Sequence, residues 1–280
     1  MLPQNRREVF TDVVKLHHFD LFKLGLMFLA SFLPLLILVF VNDVYEAQIT
    51  AASLPNAAES LLAFQSTSAL IGIVCYLIIA IVFSGALRVI RQLAYEEVLF
   101  FWQDFVTGIK QNIKQIFVIA FLMGVQKFIG IYLYGAGQLA SNGTIGIVGA
   151  IFNGLSVLVF LPVWAYMTVL CAVYDNTFLQ NLRVAFALYA KAIGRTVLHL
   201  IALGILFAAS MLPYGLCHLL CRGFGALLLP LFMLIWFLFV LHQLDKEINP
   251  KYFPELVGKG LYHPADPDDS QNNSKGEPAQ

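Results

Sequence analysis

Charge is what this chain is short of. Only 12% of its 280 residues are Asp, Glu, Lys or Arg, about half the roughly one quarter usual in a soluble domain. Catalytic motifs are missing as well: there is no Gly-x-Ser-x-Gly, no His-Glu-x-x-His, no Walker sequence and no close carboxylate pair inside an apolar stretch. Those absences point away from an enzyme. Lys plus Arg balances Asp plus Glu at 17 each, so no basic surplus points to a nucleic-acid partner. No metal or cofactor is expected either. Cys217, His218 and Cys221 form too small a ligand set on an apolar segment, and they read as small packing thiols beside a histidine. The glycines at 143, 146, 149 and 154 have no preceding strand and no following Lys-Ser/Thr, which excludes a phosphate loop.

What the chain has is apolar length. Hydrophobic residues make up 59% of it, and the mean hydropathy is +0.78. A helix crosses ~30 Å of hydrocarbon in ~20 residues. Six stretches qualify, approximately Leu24–Val41, Ala69–Leu87, Ile116–Ala136, Ile145–Val173, Thr196–Tyr214 and Ala226–Leu241. Unpaired backbone groups are too costly in lipid for anything but helix. The expected fold is therefore all-α: a polytopic transmembrane bundle of about six spans with amphipathic helices at the inner interface. Span one is longer than the ~7–15-residue core of a signal peptide, so it is expected to stay uncleaved.

Basic residues set the expected orientation. Fifteen of the 17 Lys and Arg fall in the N-terminal segment, the 88–115 and 174–195 connections and the tail; the alternate loops hold Arg222 alone, and Lys127 lies within a span. Both termini are thereby expected in the cytoplasm of a multi-pass bacterial cell-membrane protein, with the lipid bilayer as its first partner.

Before span one, Phe10, Val13, Val14, His17 and Leu21 recur at helical spacing and predict an amphipathic helix. The connections 88–115 and 174–195 combine aromatic and basic residues and are expected to lie flat at the headgroups. After span six, Asn249–Pro250 and Pro254 end the helix, while Tyr252, Phe253, Leu256 and Tyr262 predict an ordered lip against the bundle. Residues 1–262 are expected to form one membrane domain. The polar tail 263–280 cannot bury a core and is expected to be disordered.

Two sites stand out. Lys127 lies near the centre of a span beside Gln126, with Asn153 and Ser156 at comparable depth on span four. A lysine there costs ~2.5–3.5 kcal/mol and belongs in the bundle or a wet cavity. The second site is the inner motif Asp104, Phe105, Gly108, Lys110 and Asn112, which follows Ala86-Leu87-Arg88 and leads into a span. In these residues the chain resembles the YesL-like family of small bacterial membrane proteins, a domain of unknown function. Asn181, Leu182 and Ala185 look like that family's later inner helix, so the likeness covers roughly Leu70 to Leu206. The start departs from it, because Pro34 is followed by an unbroken apolar run and a longer outer loop. The resemblance implies six spans, no catalytic residues and a neighbourhood with carbohydrate uptake systems. The function it points to is an accessory or regulatory partner of such a system, with a transporter permease as the membrane-protein partner and the cytoplasmic face as the working surface. The alternative is a small-solute transporter or channel built around Lys127.

Overall fold

The computed structural model describes residues 5–52, 56–139, 143–208 and 215–261, with the side chains of 203 and 205–219 excepted. Every regular element among them is helical. α1 (Arg6–Leu16) starts where the Asn5 side chain accepts the Arg7 and Glu8 N–H groups at 3.1 and 3.0 Å, a side-chain cap on otherwise orphaned donors. Val9 and Val13, one helical turn apart, are buried against the bundle. The predicted amphipathic helix is thus docked on protein along that stripe.

α2 (His18–Ala52), α3 (Ala57–Ala94) and α4 (Phe101–Leu139) run for 35, 38 and 39 residues. At 1.5 Å per residue, α3 is about 57 Å long, nearly twice the hydrocarbon thickness. Most of the expected outer loop 42–68 is therefore helix. Residues 88–115 depart from the flat arrangement expected of them: they continue α3 and α4 along their axes around a short turn at 95–100, where Glu96 takes φ 53°. The cause is side-chain pairing between the two helices, described below.

α5 (Gly143–Leu155), a π turn at Ser156–Phe160 and α6 (Leu161–Val173) form the fourth apolar run. Pro162 has no N–H, so the Leu158 carbonyl one turn back loses its ladder partner. The π turn bonds Leu161 N–H to Ser156 O instead, and the Tyr189 hydroxyl donates to the freed Leu158 carbonyl. Gly146 and Gly149 give α5 its close approach to α4. A Cβ on Gly149 would lie 2.7 Å from the Tyr134 nitrogen, and one on Gly137 would lie 2.3 Å from the Gly146 nitrogen. A Cβ on Gly154 would meet nothing within 4 Å.

α7 (Phe178–Lys191) opens with a Thr177–Gln180 capping box and meets α8 (Ile193–Ala208) at 93°. This second connection is a separate amphipathic helix. The expected fifth span is α8 as far as Ala208; residues 209–214, including Pro213, lie outside the described residues, as do Tyr262 and the 263–280 tail. α9 (Gly215–Glu247) contains Pro230 without a break and leads into α10 (Asn249–Tyr252) and a 3₁₀ turn at Pro254–Leu256.

Among the described residues, five helices are long and apolar enough to cross a membrane, or six if the bent α7–α8 pair counts as one. The chain is a multi-pass helical bundle. Its core, with Leu24, Phe28, Leu87, Ile90, Met167, Leu170, Phe237 and Leu241, sits toward the end that carries α1 and the 249–261 lip, here called the basal end. Cover is uneven elsewhere: in the most apolar window of Gly143–Val173 only 6% of residues are buried, against 56% in that of Leu220–Glu247.

Candidate functional site

The motif Asp104, Phe105, Gly108 and Asn112 is spaced i, i+1, i+4 and i+8, which places all four on one face of α4. That face meets α3. Asp104 Oδ1 accepts from Arg88 Nε at 3.1 Å and, more loosely, from Gln92 Nε2 at 3.5 Å, while Oδ2 accepts the Phe100 N–H at 2.9 Å. The last bond closes the first turn of α4, where a carboxylate also suits the helix dipole. Burial pushes the Asp104 carboxyl up, but the Phe100 N–H, Arg88 and Gln92 outweigh it and hold the group below the usual carboxylate range. The Phe105 ring covers Gly85, and Asn112 Nδ2 donates to the buried Ser84 carbonyl at 3.2 Å. A Cβ on Gly108 would lie 2.7 Å from Arg88 Cβ and 2.9 Å from Gly85 O, so only glycine lets the helices close here. Lys110 points the other way and is exposed. The motif is the seam of the α3–α4 hairpin, with Lys110 alone presented outward.

Further polar bonds tie the other helix ends to that seam. Arg88 also donates to Gln111 at 2.7 Å, and Arg91 to the Ala172 carbonyl at 2.8 Å. Gln115 bridges α4 to α7, donating to Asn176 O at 2.8 Å and accepting from Asn181 Nδ2 at 3.0 Å. Arg6 on α1 pairs with Asp245 at 2.7 Å and donates to Lys259 O at 2.8 Å. Lys259 pairs with Glu97 at 2.7 Å, and Tyr174 donates to Asn249. Burial pushes the Tyr95 phenol up to about 12, so it stays neutral beneath Gly260, whose φ of +82° lets the lip backbone lie on Tyr95. None of these long-range pairs could be read from periodicity. The aspartates and arginines at helix ends were the available signal.

The four midspan residues do not converge. Lys127 is exposed on the bundle surface, its Nζ 3.3 Å from the Tyr76 hydroxyl and 5.8 Å from that ring's centroid. Gln126 accepts from the Trp164 indole at 3.3 Å, and Asn153 donates to the Gly130 carbonyl at 3.3 Å. The Ser156 hydroxyl is buried with no hydrogen-bond partner among the described residues. Each side chain has its own surroundings. His199 stacks on Phe239 at 4.0 Å and its Nδ1 lies 2.9 Å from Arg195 O. Of the Cys217, His218 and Cys221 group, only the Cys221 side chain is among those described.

These features define a multi-pass membrane helix bundle whose polar order lies at one end. No protein-family model matches the chain, nor does any curated protein or solved structure; the likeness to the YesL-like family rests on the motif residues alone.

Proposed function

We propose that this protein is a non-enzymatic membrane protein, an accessory or regulatory partner of a bacterial uptake system, working through its basal face. The charge bias of its loops supports a cytoplasmic position for that face and both termini. Carbohydrate import is the class that the YesL-like resemblance implies, and a permease is the partner. The observation that carries the reading is the contrast between frame and surface at this end. Cross-helix bonds fix the helix ends, and Lys110, Lys114, Arg183 and Lys251 remain exposed around them. A fixed set of exposed cations suits a complementary acidic partner surface. The transporter alternative has less support, because Lys127, Gln126 and Asn153 each bond to a different neighbour.

The test is recovery of a tagged chain in mild detergent from its own cells. A membrane partner at stoichiometric yield is expected, released when Lys110, Lys114 and Arg183 are changed to Glu. Recovery of the chain alone, or a partner indifferent to those changes, would overturn the proposal.

A further inference from the structure

A groove of about 940 Å³ opens between α1, α8 and α9 at the basal end, near the upper limit of the roughly 300–1,000 Å³ usual for ligand sites. Its lining is graded in polarity. Ile235, Leu238, Phe239 and His242 follow one another on α9 at i, i+3, i+4 and i+7, a single helical stripe. The three apolar members lie within the expected sixth span, and His242 comes just after it. Across the groove, Arg195 and His199 are one turn apart on α8, and Arg7 closes the basal rim from α1. Among the described residues that line it there is no carboxylate. The nearby Asp245 is already engaged by Arg6 at 2.7 Å, which leaves Arg7 and Arg195 as the rim guanidinium groups without an ion pair among the described residues.

We propose that this groove holds one anionic phospholipid from the leaflet on the side of the termini. A space walled by Ile235, Leu238 and Phe239 at membrane depth gives water too few hydrogen-bond partners, whereas an acyl chain fills it at no such cost. The headgroup phosphate then meets Arg7 and Arg195, with His199 and His242 beside it, and guanidinium groups suit phosphate oxygens in bidentate geometry. Basic pockets between spanning helices on the cytoplasmic side are a recurrent setting for anionic headgroups. The lipid would lie over the His199–Phe239 stack, which already joins α8 to α9. The inference stands on the multi-pass fold and does not require the accessory role.

The test is lipid retention on the purified full-length protein, exchanged from neutral phosphatidylcholine nanodiscs into discs containing phosphatidylglycerol and read by native mass spectrometry. The wild type should keep one phosphatidylglycerol in preference to phosphatidylcholine. Arg7→Gln with Arg195→Gln should lower that retention about tenfold. Lys15→Gln with Lys246→Gln, exposed cations of α1 and α9 that do not line the groove, should leave it unchanged. Ile235→Trp should block the apolar half while both arginines remain, so the groove is tested even if the double arginine variant fails to fold. Inorganic phosphate should not displace the lipid at concentrations comparable with it. Equal retention of the two lipids, loss in the Lys15/Lys246 variant, indifference to both groove variants, or displacement by free phosphate would each overturn the proposal.

Discussion

The basal end and the middle of the bundle hold the same kinds of polar residue and use them differently. At the basal end Arg88, Gln92, Asp104 and Gln111 share partners, and Gln115 joins α4 to α7, so one side chain fixes two or three helices. In the middle, Gln126, Lys127 and Asn153 each make a separate bond to one neighbour. The lesson concerns connectivity more than polarity. Shared bonds in a low-dielectric setting make each partner's loss expensive, because the groups left behind are buried and unpaired. Separate bonds can be lost one at a time.

The comparison breaks first if Asp104 proves dispensable. Arg88 and Asp104 have side-chain exposures of 19% and 9%, so Asp104→Ala leaves a mostly buried guanidinium with Gln111 as its remaining partner and the Phe100 N–H without its acceptor, at a cost of about 3 kcal/mol. Denaturant unfolding in detergent should show that loss, whereas Gln126→Leu should cost under about 1.5 kcal/mol. The same residue sets a pH dependence. The carboxyl is held below its ordinary value in the fold, so its contribution is present above the unfolded value near pH ~3.9 and is lost as pH falls through the folded one. Asp104→Asn should flatten the acid limb of the stability curve; an unchanged acid limb would remove Asp104 from the account.

Gly108→Val comes next. Its side chain would meet Arg88 Cβ and the Gly85 carbonyl, neither of which can swing aside, so the seam must open at about 1–3 kcal/mol. The midspan comparison is Gly154→Val, where nothing lies within 4 Å of the added Cβ and the helix gains a residue with less backbone freedom to lose. No loss of stability is expected there. Equal losses at the two glycines would mean that the seam is not the tighter contact.

Much of this was visible in the sequence, for reasons that also explain what was not. The spans were legible because each needs an uninterrupted apolar run, and the lip because Asn249–Pro250 and Pro254 interrupt a helix while Phe253 and Leu256 pack on the core; Tyr252, expected beside them, is instead exposed. The upright hairpin at 88–115 was hidden, since Arg, Lys, Gln and Asn in a helix look the same whether the helix lies flat or continues a span. The spacing 104, 105, 108, 112 already named one helical face, but only the structure shows that the face is turned to α3. Arg6 with Asp245 could not have been paired from sequence: 239 positions separate them, and no periodicity links them.

Tyr189 sharpens the comparison from the middle of the bundle. Its hydroxyl answers the Leu158 carbonyl that Pro162 cannot reach, so Tyr189→Phe leaves a carbonyl unpaired in an apolar setting, at about 1–3 kcal/mol. Pro162→Ala restores the missing N–H. In that background Tyr189→Phe should cost clearly less, and the two changes should be non-additive in a double-mutant cycle. Additivity would show that the proline and the tyrosine are independent.

The smallest effect belongs to Lys127. Its ammonium lies over the Tyr76 ring at an exposed position, where such a contact is worth about 0.5–1 kcal/mol. A cycle of Lys127→Met and Tyr76→Leu should return a coupling of that size, and cycles with Gln126→Leu or Asn153→Ala should return almost none. The distinction follows from geometry: coupling requires shared partners, and Trp164 and Gly130 are not partners of Lys127. Strong coupling of Lys127 to Gln126 or Asn153 would mean that the midspan residues act as one site after all, and the contrast with the basal end would then fail where a translocation path would need it to.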